Sequence, residues 1–225
     1  MCPPALVAGR RPITNVFVEA ITLTIVSLLP IMNPFATAPL FISLTASFDK
    51  EKRARQALMG CIYAFGILVV FLLAGAAIVD FFGISIPGIR VAGGLIISMS
   101  GFSMLFPKPP VAESAAMHAQ QEDFAFTPIA MPSLAGPGSI SVVLTAATQI
   151  KSMDDRYAIY VAVILGMALT LVFSFLVLRA SSEMVKFLGP GGIDAMTRIF
   201  GFLLICIGMQ FLLTGISAFY GIHPA

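Results

Sequence analysis

The sequence predicts an all-α membrane protein with six transmembrane helices in two inverted-topology three-helix repeats, the first helix of each repeat broken at Pro-rich motifs. Three observations carry that expectation. Of 225 residues, 58% are hydrophobic and 11% charged, with a mean hydropathy of +0.98, whereas a soluble domain has about 45–50% apolar and about 25% charged residues. Charge then marks off six apolar segments, and a span needs about 20 residues because a helix rising about 1.5 Å per residue must cross about 30 Å of hydrocarbon. Finally, Pro30, Pro34 and Pro39 recur as Pro128, Pro132 and Pro137 at one offset of 98, with Ile31 falling on Ile129.

Residues 1–15 form an N-terminal tail. Arg10 and Arg11 precede an apolar run as in a signal peptide, but no small-residue cleavage site opens onto a polar mature domain. Repeat 1 covers residues 16–106, with apolar segments at 16–48, 57–79 and 84–106. The first has 33 residues and as one helix would run about 50 Å, far beyond the hydrocarbon core. The interruption is written as Pro30, Asn33-Pro34 and Pro39, since each proline removes a donor and clashes with the carbonyl four residues back.

Residues 107–123 are a polar linker containing Pro109, Pro110, Glu113, His118, Glu122 and Asp123. Repeat 2 covers 124–219, with segments at 124–150, 157–178 and 199–219, and residues 220–225 are a C-terminal tail. The whole is a single membrane domain. Arg90 matches Arg198 at offset 108, and Gly94 and Gly101 match Gly201 and Gly208 at 107, so about ten extra residues sit near Gly189-Pro190-Gly191-Gly192. The two glycine pairs are seven apart, two turns along one helix face, and read as seams for close helix packing.

Three crossings per repeat place the second copy upside down relative to the first. The loops after segments one, three and five hold eight Lys+Arg and the other side five, which places both termini outside a bacterial or archaeal cytoplasmic membrane.

Composition also excludes function classes. Thirteen Lys+Arg against eleven Asp+Glu leave +2, without the basic stripe that a nucleic acid requires. Cys2, Cys61 and Cys206 show no CxxC spacing and read as packing residues. An intramembrane enzyme needs a nucleophile with its base or a metal cluster. The sequence offers no histidine in an apolar segment, no paired carboxylates and no Gly-x-Ser-x-Gly, so no enzyme, metal site or organic cofactor is expected.

Two broken segments related by a pseudo-two-fold axis point to a polar site near the midplane, because freed backbone groups must be satisfied by protein, water or ligand. The candidate substrate-binding residues are Asn33, Pro34 and Thr37 at the first break and Ala135, Gly136, Pro137, Gly138 and Ser139 at the second. Ser133 and Ser141 add neutral hydroxyls, and neither stretch carries a charge. The bland alternative is two proline kinks whose polar side chains only repair their own helices. A net-neutral dipolar solute suits a charge-free site, since half-helix N-termini hold a carboxylate and half-helix C-termini an ammonium. The Gly and Ala lining leaves room for a small zwitterion such as glycine, alanine or serine. Arg90 and Arg198, at matching places near segment ends, are candidate gating or packing residues.

The stretches Asn33-Pro34-Phe35, Ser43-Leu44-Thr45, Leu134-Ala135-Gly136-Pro137-Gly138-Ser139-Ile140-Ser141 and Arg198-Ile199-Phe200-Gly201, with Gln210, resemble the MarC family of bacterial inner-membrane proteins. The resemblance covers about residues 16–222, and its most specific element is Ala135-Gly136-Pro137-Gly138. It implies a small neutral amino acid transporter related to LysE-type exporters. Relatives often carry Asn-Pro-Ile-Gly where this chain has Asn33-Pro34-Phe35-Ala36, a difference that bears on pocket size. The resulting expectation is a secondary transporter working by alternating access, coupled to H⁺ or Na⁺, with a small zwitterion and the lipid bilayer as partners and a homo-oligomer as a further possibility. The alternatives are an exporter of other small polar metabolites or drugs, and a non-transporting channel or scaffold.

Overall fold

A computed structural model describes residues 13–106, 124–151, 153 and 155–222. The first twelve residues with Arg10 and Arg11, the linker 107–123 with His118, and the tail residues 223–225 with His223 lie outside the described residues. The described chain is helical: α1 (Ile13–Met32), α2 (Pro34–Leu44), α3 (Lys50–Phe82), α4 (Ile86–Leu105), a π-helical segment (Ala125–Leu134), α5 (Pro137–Ile150) and α6 (Arg156–Tyr220). α6 is two arms joined at Gly189, whose φ of 65° and ψ of 175° are not helical. The Gly189-Pro190-Gly191-Gly192 stretch is therefore a bend between helices. Only glycine adopts that backbone conformation cheaply.

Among the described residues five helices are long and apolar enough to cross a membrane: Asn15–Met32, Lys50–Phe82, Ile86–Leu105, Arg156–Glu183 and Gly191–Tyr220. The expected sixth span differs. Residues 124–150 are not one long helix but the ten-residue π segment followed by the fourteen-residue α5. In the first segment the interruption falls at Asn33 alone, whereas Pro30 and Pro39 lie within α1 and α2. Pro34 occupies the first turn of α2, where the missing N–H had no intrahelical acceptor to lose.

Exposed Val18, Leu23, Val26, Val70, Leu73, Met99, Leu176, Phe202 and Leu213 cover the outside, as expected of a surface solvated by hydrocarbon. The interior holds Leu28, Met32, Phe41, Leu68, Leu72, Ile129, Leu134, Met167 and Leu178. Several hydroxyls within spans bond back to their own helix: Thr24 Oγ1 donates to the Ala20 carbonyl at 2.7 Å, Thr170 Oγ1 to Gly166 at 2.8 Å and Ser174 Oγ to Thr170 at 2.9 Å. Such bonds remove the cost of an unpaired donor in an apolar interior.

α4 packs most extensively against α6, and the predicted glycine seam is where they meet. A β-carbon on Gly94 would lie 2.5 Å from the Gly208 carbonyl oxygen, one on Gly101 2.6 Å from that of Gly201, and one on Gly201 2.9 Å from that of Gly101. Backbone touches backbone along two turns, so no side chain has space at these positions. Near the α3 N-terminus, Arg53 Nη2 donates to the Thr45 carbonyl at 2.9 Å and Nη1 to Ser182 Oγ at 2.8 Å, tying the end of α2 to the first arm of α6.

In detergent, Gly94→Leu and Gly208→Leu are each expected to destabilise the protein by about 3 kcal/mol or more, the upper end of overpacking costs. Gly66→Leu, with nothing within 4 Å of its added carbon, is expected to stay within about 0.5 kcal/mol of the parent. Thermal unfolding of the three variants checks this.

Candidate functional site

The first break is built by one asparagine. Asn33 has φ 38° and ψ 67° and is the one non-glycine residue with positive φ among the described residues. Asn tolerates the left-handed region because its short side chain bonds locally. Its N–H donates to the Leu29 carbonyl at 3.1 Å, closing α1, while its own carbonyl accepts from the Thr37 amide and Thr37 Oγ1, both at 3.2 Å. Its Oδ1 accepts from the Ala36 amide at 3.2 Å, capping α2, and its Nδ2 donates toward Met104 Sδ at 3.7 Å. The carbonyl of Pro30 loses its donor four residues on, because Pro34 has no N–H.

The second break has a different local cause. In an α-helix the Phe124 carbonyl would accept from residue 128, but Pro128 has no N–H. It accepts from Ile129 instead at 3.3 Å, and the Ala130 carbonyl likewise accepts from Ala135 at 2.8 Å. Bonds five residues apart wind this segment as a π-helix. α5 then starts at Pro137 after Gly136, whose φ of −71° and ψ of 172° are extended and which supplies no side-chain cap. The first amide to bond within α5 is that of Ile140, to the Gly136 carbonyl at 3.0 Å. Among the described residues the amides of Gly138 and Ser139 have no hydrogen-bond acceptor. Ser139 Oγ turns back to the Leu134 carbonyl at 3.1 Å.

The two breaks meet in one cavity of about 490 Å³. Asn33 and Thr37 line it from the first break, and Gly136, Pro137, Gly138, Ser139 and Ser133 from the second. Pro34 and Ala135 are buried beside it without forming its wall. Among the described residues no charged side chain lines it. α4 supplies a third wall through Ile97, Ser100, Ser103 and Met104, which the sequence reading missed. The available signal was two serines on the helix face that also carries Ile97 and Met104, three to four residues apart. Ser100 and Ser103 donate to the Ile96 and Met99 carbonyls, both at 3.0 Å, so their lone pairs remain as acceptors. Gly138 sits tight, since a β-carbon there would lie 2.9 Å from Ile97 Cγ1 and 3.1 Å from Ile31 Cγ2. Ser141 lies outside this cavity, against Gly93 of α4.

Arg90 and Arg198 are not brought together. Arg90 lines a separate cavity near the start of α4, whereas Arg198 is exposed and its Nε donates to Asp194 Oδ2 at 2.9 Å, one turn away on the same helix.

The chain matches a family model described as "MarC family integral membrane protein" over residues 18–220. It is 40% identical over 208 residues to the inner membrane protein MarC of Escherichia coli (strain K12), covering 88% of this chain and 94% of that protein. The MarC protein of Shigella flexneri is 40% identical and that of Escherichia coli (strain SMS-3-5 / SECEC) 41% identical, with the same coverage. No solved structure matches the chain significantly.

Asn33→Ala removes the cap acceptor, worth about 1 kcal/mol, and puts a β-carbon without local bonding in the left-handed region, at about 1–2 kcal/mol. The expected loss is about 2–3 kcal/mol. Asn33→Gly keeps the backbone conformation and is expected to cost a few tenths. Comparing the two unfolding midpoints separates backbone geometry from side-chain bonding.

Proposed function

The chain belongs to the MarC family of integral membrane proteins, and from that premise we propose that it is a secondary transporter of small zwitterionic amino acids, such as glycine, alanine and serine. It is a multi-pass protein of the inner membrane. The observation that carries the reading is the shared cavity: two chain breaks from opposite halves of the sequence converge on one charge-free pocket. A cation or anion carrier places a counter-charge within the membrane, where an ionisable group marks function. Here the poles are backbone and neutral side-chain groups.

In this reading the solute carboxylate docks on the Gly138 and Ser139 amides at the positive end of α5. Its ammonium faces the Asn33 and Thr37 oxygens and the acceptor lone pairs of Ser100 and Ser103. The tight Gly138 contacts with Ile31 and Ile97 favour a side chain no larger than one or two heavy atoms. With no titratable group among the described residues of the pocket lining, coupling to Na⁺ held by carbonyls, or uncoupled exchange, fits better than proton transfer within the pocket.

Alternating access would come from one three-helix unit rocking against its inverted copy. The glycine seam supports that arrangement. Gly94 meets Gly208 and Gly101 meets Gly201, so exchanging each residue for its match at offset 107 reproduces the same two contacts, as an isologous pairing requires. α2 would transmit the motion, with Asn33 at one end and the Arg53-held Thr45 carbonyl at the other.

In proteoliposomes, the parent protein is expected to catalyse saturable counterflow of labelled glycine, and Asn33→Ala and Gly136→Leu are each expected to reduce it at least tenfold. Normal flux in both variants would remove the site assignment, and single-channel currents without saturable counterflow would replace the transporter by a channel.

A further inference from the structure

A second, larger cavity of about 620 Å³ lies between α1, α4, α5 and α6, within the usual size of a small-molecule site. It is lined by Glu19 near the start of α1, Arg90 near the start of α4, Gln149 near the end of α5, and Gln210 and Thr214 near the end of α6. All these positions lie at the end of the molecule where the described chain starts and finishes. The basic cluster Lys50, Lys52, Arg53 and Arg55 lies at the opposite end, at the start of α3. By the positive-inside rule the cavity opens outward.

Arg90 is half-buried and, among the described residues, enters no hydrogen bond or ion pair. An arginine presents five donors in a rigid fork matched to a carboxylate, and none of those of Arg90 is taken up by the described residues. Thr145 and Thr214 donate their hydroxyls to the Ser141 and Gln210 carbonyls at 2.9 and 2.7 Å, and neither hydroxyl oxygen accepts a bond from Arg90. Glu19 brings a second charge of opposite sign to the same cavity. It already makes a contact of its own, but a carboxylate has about four lone-pair sites and can accept an ammonium besides. Leu23, Leu28, Ile150 and Phe211 make the remaining wall apolar.

One positive group, one negative group and an apolar wall on the same cavity suit a ligand that carries both charges and an apolar side chain. We propose that this cavity is an outer binding site for a zwitterionic amino acid with an apolar side chain, its carboxylate on Arg90 and its ammonium on Glu19. The site is distinct from the inner pocket and independent of what that pocket carries. Leu28 and Val143 on the outer cavity and Met32 and Ile97 nearer the inner pocket are each about 1% exposed, and this apolar layer keeps the two apart.

The test is thermal unfolding of the purified full chain with L-leucine, leucinamide, 4-methylpentanoate or glycine. Leucine is expected to raise the midpoint of the parent and of Gly138→Leu alike, with leucinamide and 4-methylpentanoate at least tenfold weaker. Arg90→Gln is expected to lose the leucine response while Arg90→Lys keeps part of it, and Glu19→Gln, an independent change on the facing wall, is expected to weaken it. The ligand-free midpoint of each variant reports whether it is folded. A leucine response that survives Arg90→Gln but not Gly138→Leu would move leucine to the inner pocket and overturn the proposal. So would an equal response to 4-methylpentanoate, or no response in the folded parent. Glycine reports the inner pocket separately, so failure of that reading leaves a different signature from failure of this one.

Discussion

In hydrocarbon no water completes a broken helix, so every backbone group freed by a break must find a partner within the protein or in what the protein binds. That constraint organises the molecule. At Asn33 the chain answers it locally: one residue closes α1, caps α2 and turns its amide towards Met104. At Gly136 it does not, and two amides at the head of α5, both on residues that line the cavity, have no acceptor among the described residues. The asymmetry makes the second break the open half of the site and the first break its frame.

The absence of charge from the pocket lining follows the same logic. A buried ion costs several kcal/mol unless it is paired, whereas a helix end offers a fraction of a charge that is already fixed in place. A pocket with partial charges alone can hold a solute that brings both signs without changing its own protonation. The outer cavity, nearer the membrane surface, uses full charges on Arg90 and Glu19, where water keeps their cost low.

Much of this was legible in the sequence. The membrane class followed from composition, the break near Asn33-Pro34 from a segment too long for one span, and the second break from the repeated prolines. The glycine seam followed from seven-residue spacing. What was not legible depended on local hydrogen bonding. Proline spacing did not reveal that Pro30 and Pro39 would stay inside helices, because the clash each creates can be absorbed by a small distortion while a left-handed Asn33 ends the helix outright. Nor did it reveal that Pro128 would convert an α-turn into a π-turn. The α4 wall was missed because Ser100 and Ser103 look like any helix-satisfied serines until their face is placed against the breaks. The matched arginines suggested a shared role, yet Arg198 pairs within its own helix and Arg90 lines the outer cavity.

The central claim is that the converging breaks recognise separated charges on one neutral solute. Isothermal titration of the purified protein with glycine, acetate and methylammonium tests it most directly, because the last two each carry one of glycine's poles. The account predicts measurable binding of glycine and binding at least tenfold weaker for either single ion. Acetate or methylammonium binding as tightly as glycine would contradict it.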